Sequence, residues 1–381
     1  MLDIFSGFLK FLKFDSVCID NNVFRLHYKA TLMILTIAVA LVCSRQYIGD
    51  PIDCLSDGVP GGIMDAYCWL HGTFSIPERW VGKQGVDIPH PGVAPGSKDG
   101  EEPVYHKYYQ WVAYVLIFQA GLFYIPRFLW KTTEGGRMQM LVSGMFEPRL
   151  VVDKAARSEK IGTIVKYIQL NRGQHSFYFL KFLTCEVLNF VNVLGQLFFM
   201  DMFLGYEFST YGLKVLEFTE MDEPRPDPMA VVFPKVSKCS FHKYGPSGSI
   251  ERHDGLCVLP LNIINEKIYI FLWFWFITVA SITGIFLLYR LAVLFSAGIR
   301  TAMIQARTGR VGRDKIADIL SDPSLNYFQQ LGDFFILYLI AKNMDELATK
   351  ELINELHSAL KPAYSNAPTL KASSKNNSAI E

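Results

Sequence analysis

Four cysteines and two histidines hold the most legible chemistry in this chain. Cys239, His242, His253 and Cys257 fall at intervals resembling a zinc site, and the stretch Lys243 to Arg252 between them is rich in Gly, Pro and Ser and can turn. Cys54 and Cys68 offer a second chemistry: with Cys239 and Cys257 they make an even set that an oxidising compartment would join as disulfides. Extracellular thiols tend to oxidise, so disulfides rank above zinc and no metal is expected. Lys181, Glu186 and Asp201 interrupt an apolar stretch, and each would cost about 3 kcal/mol facing lipid at mid-depth. Lys181 can snorkel to a membrane surface, and Glu186 is the candidate for a structural partner or a pore contact, with pairing the preferred reading. No His-Glu-x-x-His, phosphate-cradling glycine loop or serine elbow is present, so neither an enzyme nor a cofactor is expected.

The elements that must position these residues are long apolar segments. Half of the 381 residues are hydrophobic, and the net charge of +1 implies no nucleic acid or other polyanion as partner. Four segments approach or exceed the roughly 20 residues that a membrane crossing takes: 27–48, 108–130, 177–204 and 268–295. The second is uncharged between Lys107 and Arg127, and the fourth from Ile268 to Tyr289. Ala38-Val39-Ala40 resembles a signal-peptidase site, but the preceding stretch is long and mixed in charge, so an uncleaved anchor fits better. The expectation is an all-α membrane protein, a four-helix transmembrane bundle whose loops are 49–107, 131–176 and 205–267.

Orientation follows from lysine and arginine. The segment between spans two and three and the stretch that opens the tail are basic, from Arg127 to Arg172 and from Arg290 to Lys315, whereas the loop 49–107 is acidic. Both termini and the middle loop are therefore expected in the cytoplasm, which leaves one cysteine pair in each outside loop. Four cysteines allow three pairings. If spans one and four are neighbours, Cys54–Cys257 and Cys68–Cys239 would staple the two loops together.

Smaller features carry expectations of their own. Residues 1–26 begin with apolar side chains at amphipathic helical spacing, including Leu2, Phe5 and Leu9. The residues alone favour a helix lying on the inner leaflet over one lining a pore. Pro126 implies a kink or a helix end, and Gln110 and Gln119 either bond neighbouring helices or, for Gln110, face interfacial water. The aromatic run at the head of span four suits a membrane interface. The single sequon, Asn376-Asn377-Ser378, lies in the tail, so the outside loops are free of glycan sites. Residues 296–360 read as a helical cytoplasmic region, together with helical patterning at Ser158–Leu170, and 361–381 as a disordered tail.

Longer motifs resemble a known family. Tyr109-Gln110-Trp111-Val112 is similar to the YQWV signature of the innexins, with Gln119-Ala120, Tyr124, Pro126 and Trp130 around it. Tyr47 through Cys54, Tyr67-Cys68-Trp69, Cys239 through Gly248, Asn265 through Phe276, and Gly332-Asp333 through Asp345 resemble further innexin segments. The resemblance covers nearly the whole chain and is greatest to the innexin-2 type of insects. It departs in Ser143–Glu159, Ala306–Tyr327 and the tail.

The resemblance implies a large-pore channel in the plasma membrane at cell–cell gap junctions, a homo-oligomer whose hemichannel is a ring of eight. That hemichannel docks with one of the opposing cell, and mixed channels with other innexins are an option. It implies an N-terminal funnel in the pore, with Leu2, Asp3, Phe5, Ser6 and Leu9 as lining residues, and the loop pairing Cys54–Cys257 and Cys68–Cys239. Ions and small metabolites pass without chemistry. The competing readings are a hemichannel that never docks and a four-span adhesion protein; a tetraspanin would show a short first loop and a Cys-Cys-Gly motif, and neither is present.

Overall fold

The structure, a computed structural model, describes residues 17–94, 102–143, 145, 153–219, 226–309 and 311–365. Leu2, Asp3, Phe5, Ser6 and Leu9 lie outside the described residues, as does the tail from 366 onward. Residues 361–365, read from sequence as the start of a disordered tail, instead continue a helix that ends at Ser365.

Four helices are long and apolar enough to cross a membrane: Asn22–Ile48, Val112–Glu134, Ser176–Phe203 and Pro260–Phe295. The physical cause is plain, because a helix satisfies every backbone group within the segment where lipid offers no partner. The fourth helix opens on a proline, which suits a first helical position because its missing N–H has no partner there anyway. Its 36 residues extend about 54 Å, well beyond a hydrocarbon core of about 30 Å. Pro126 stands inside the second helix, which continues to Glu134, so it does not end that helix. The first helix carries one turn of π-helix, Leu26–Thr31.

The contacts divide the chain into two compact units. One comprises Asn22–Phe128 and Val187–Ile285. Its core joins Leu35 and Val42 of the first long helix, Leu116 and Phe123 of the second, Met200 of the third and Phe276 of the fourth. Ile37, Ile117, Phe118, Phe198 and Ile285 are exposed on these helices, an apolar surface suited to a bilayer or to other subunits.

The long loops of this unit build a sheet that period-2 patterning did not announce. Strands β1 (Asp53–Ser56), β2 (Thr73–Ser75), β3 (Val104–His106), β4 (Val236–Tyr244) and β5 (Ile250–Val258) form one antiparallel sheet in the order β1-β5-β4-β2-β3. β4 and β5 make a hairpin whose turn places Gly248 at φ +76°, a conformation glycine adopts without strain. The helix Gly61–His71 packs on this sheet, with Met64 and Cys68 fully buried beside Cys239 and Cys257.

The other unit comprises Leu129–Glu186 and Phe286–Glu381 together with the segment ahead of Asn22. It is helical: Lys154–Leu170, Ala297–Thr308, Arg313–Leu320, Tyr327–Lys342 and Glu346–Ser365 join the ends of the long helices. A capping box of Asn326 and Gln329 starts the helix Tyr327–Lys342. A Cβ at Gly332 would sit 2.4 Å from the backbone carbon of His175, so only glycine lets this helix come so close to that backbone. Arg157 grips Glu351 with two hydrogen bonds of 2.8 Å, tying Lys154–Leu170 to the final helix.

Candidate functional site

The four loop cysteines are brought together at the sheet. Cys54 of β1 and Cys257 of β5 occupy the same rung of the ladder, Cα atoms 4.0 Å apart, and are bonded to each other. Cys68, on the helix Gly61–His71, is bonded to Cys239 of β4, with Cα atoms 5.9 Å apart. Each bond joins the loop after the first long helix to the loop before the fourth. Cys54, Cys68 and Cys257 lie close enough to hold a metal, but all three sulfurs are committed to disulfides, so they offer no thiolate ligand. The zinc reading of Cys239, His242, His253 and Cys257 does not fit either: its two sulfurs are bonded to other cysteines, and His253 Nδ1 pairs with the carbonyl of Asp57 at 3.1 Å.

The motif Tyr109-Gln110-Trp111-Val112 meets this assembly at the end of a helix. The last carbonyls of any helix lack intrahelical donors. Tyr109 is fully buried and its hydroxyl donates to the carbonyl of Cys68 at 3.1 Å. The Gln110 amide donates to the carbonyls of Trp69 and Leu70. Tyr109 also packs on the ring of Trp69, centroids 4.9 Å apart, and burial pushes its phenol up to about 12. Val112 is buried and starts the second long helix, while Trp111 is 60% exposed. Gln110 is thus a cap on the cysteine-bearing helix, whereas Gln119 is fully buried with neither amide atom bonded among the described residues.

Other buried polar groups brace the sheet. His106 of β3 pairs with the Ser75 hydroxyl of β2 at 2.7 Å, and burial depresses its imidazole to about 4. Lys238 of β4 donates to the Ala94 carbonyl at 2.9 Å and to Asp254 at 3.1 Å. Partial burial pushes the Asp254 carboxyl up, but Lys238, Arg252 and Ser240 outweigh it and hold the group below its ordinary range.

The three ions of the third long helix take different roles. Lys181 is exposed. Asp201 accepts from the backbone N–H of Ser209 at 2.7 Å and so caps the next helix. Glu186 is buried and paired twice with Arg290, at 2.9 and 2.6 Å, and also accepts from Asn21. Arg290 was read from sequence only as a flanking charge. A signal for the pair existed, since each lies in the half of its helix nearest the same basic segments.

A family model for the innexins matches the sequence of this chain over residues 20–360. The chain belongs to the innexin family. It is 53% identical to Innexin inx2 of Schistocerca americana over 93% of this chain and 97% of that one. It is 52% identical to Innexin inx2 of Drosophila melanogaster over 93% and 95%, and 40% identical to Innexin shaking-B of the same fly over 94% and 95%. Innexins are the gap-junction channel proteins and not enzymes, which places this chain among multi-pass membrane channels.

Proposed function

We propose that the chain forms a ring hemichannel, eight subunits by analogy with the family, that docks with a second ring across the gap between two cells. The observation that carries this reading is the double disulfide between the two long loops. It makes one stiff five-stranded sheet out of both, a surface able to meet a rigid partner without first being ordered. The loops hold no sequon, so no N-linked glycan would stand between two rings. The far end of the β4–β5 hairpin presents the cross-strand pair Tyr244 and Ile250, 77% and 69% exposed, as an apolar contact for the opposing ring. Basic segments put both termini and the middle loop in the cytoplasm. Leu2, Asp3, Phe5, Ser6 and Leu9 then line the pore as a funnel, and ions and small metabolites pass by diffusion.

Paired-cell recording tests this. Junctional current is expected between two expressing cells and is expected to vanish when only one expresses the chain. Robust single-cell current with no coupling in surface-positive pairs would reject docking in favour of a hemichannel that releases small molecules.

A further inference from the structure

Strand β4 is an open edge over its outer half. On one side β5 pairs with all of it, from Val236↔Val258 to Tyr244↔Ile250. On the other side β2 meets it at one rung, Phe74↔Lys238, because the chain ahead of Thr73 is already the helix Gly61–His71. Backbone groups alternate along an antiparallel strand, so every second residue points away from a given neighbour. The Lys235 carbonyl accepts from the Leu259 N–H and the Gly245 N–H donates to the Ser249 carbonyl, which assigns the odd-numbered residues of β4 to β5. Lys238, Ser240, His242 and Tyr244 therefore point the other way. Lys238 faces β2; among the described residues no strand or loop reaches the N–H or C=O of the other three.

A cavity of about 400 Å³ lies beside this edge, lined by Ser240, His242 and Arg252 of the hairpin and by Gly72, Pro103 and Tyr105 of the β2–β3 side. His242 and Tyr244 are exposed. A bare row of backbone groups invites a further strand, and sheets normally guard it with proline or outward-facing lysine. Here no proline stands between Val236 and Tyr244, and Lys243 turns its ammonium back to the Gly58 carbonyl at 3.0 Å. Two rings meeting head to head relate each loop to its opposite by a twofold axis, so the contact must be self-complementary. Antiparallel pairing of one edge with its own copy meets that condition. Centred on His242, it sets Ser240 against the partner's Tyr244, Phe241 against the partner's Lys243 and His242 against the partner's His242. All three free rungs are then used, with about six hydrogen bonds and no like-charged pair. A pairing centred on Lys243 would oppose two ammonium groups, and one centred on Phe241 would need Lys238, which β2 already holds.

We propose that the β4 edge from Ser240 to Tyr244 is a strand-addition surface whose partner is the same edge of a second copy of this chain in the opposing ring. This rests on the reading above that two rings dock, and it names the contact: main-chain hydrogen bonds join the two hairpins, and the side chain at 242 sits against its own copy. Recognition then depends on a bare backbone edge and on the charge at position 242 rather than on a side-chain pocket.

The test is a set of paired-cell recordings on the full chain, with surface density measured by biotinylation. His242→Glu in both cells, or His242→Lys in both, is expected to lower junctional conductance about tenfold, because like charges directly opposed destabilise a strand pair. A His242→Glu cell facing a His242→Lys cell is expected to recover to within about threefold of the unaltered chain. His242→Pro removes only an outward N–H and leaves the β4–β5 ladder whole, so it is expected to abolish coupling at full surface density, whereas His242→Ala keeps it. Mixed pairs that couple no better than like-charged ones, while the unaltered chain couples, overturn the inference and leave docking standing. So does a surface-expressed His242→Pro channel that couples as His242→Ala does; should His242→Pro fail to reach the surface, the charge pairs decide alone. Robust single-cell current with no coupling in unaltered pairs removes the docking reading itself, and this inference falls with it.

Discussion

Cys54 and Cys257 face each other across one rung of the β1–β5 ladder, their Cα atoms 4.0 Å apart. Directly opposed residues in a non-hydrogen-bonded antiparallel pair lie about 4.5 Å apart, so strand register alone delivers these sulfurs to one another. The bond closes a separation of 203 residues, and Cys68–Cys239 closes one of 171 nested within it.

Cys68→Ser should therefore abolish coupling. Loss of a native disulfide costs about 2–5 kcal/mol, and here it also frees the helix Gly61–His71 from β4. Paired-cell conductance together with surface biotinylation checks this; unchanged coupling in surface-expressed Cys68→Ser would sink the stapled-loop model.

Tyr109→Phe removes one buried hydrogen bond to Cys68 while keeping the ring against Trp69. A loss of about 1–2 kcal/mol is expected, seen as a lower melting temperature of the purified channel in detergent. Gln110→Ala should act similarly, because it strips the caps from the Trp69 and Leu70 carbonyls. A melting temperature equal to that of the unaltered chain in both variants would contradict the cap.

His106 makes loop stability fall with acid. Its imidazole lies at about 4, below the ordinary 6.5, so the unfolded chain takes up a proton where the folded one does not. The contribution is intact above pH 6.5 and is lost as pH falls from 6.5 towards 4, by about 3 kcal/mol at most. Melting curves across that window should slope less in His106→Gln; parallel slopes would remove His106 as the cause.

Arg290→Met strands the Glu186 carboxylate in a buried site, which typically costs about 3–5 kcal/mol. Removing both charges in Glu186→Leu, Arg290→Met should recover most of that loss. Surface yield and melting temperature report both, and a double variant as poor as the single one would show that Arg290 matters for something other than this pair.

Tyr244→Glu should lower coupling between cells while leaving surface density unchanged, since the side chain is exposed on the hairpin end. Wild-type junctional conductance in that variant would show that the docking contact lies elsewhere on the sheet.

The sequence by itself determined the four long helices and the mostly helical class. Those are local properties: some twenty successive apolar residues have one way to satisfy their backbone in lipid, whatever the rest of the chain does. The presence of a cysteine pair in each long loop was equally local, as was the motif at Tyr109. The sheet was not legible, because β5 reads Ile-Glu-Arg-His-Asp-Gly-Leu-Cys-Val and lacks the apolar alternation that marks a half-buried strand. Nor was the role of Gln110, whose partners are carbonyls at the end of another helix, or that of Arg290, whose partner stands 104 residues earlier. The hold of Asn343 on Cys18 is the extreme case, since backbone groups at position 18 carry no mark in the residue type. Tertiary structure alone decided these, because hydropathy sums over a window, whereas a hydrogen bond or an ion pair exists only once distant segments have been packed to within about 3 Å.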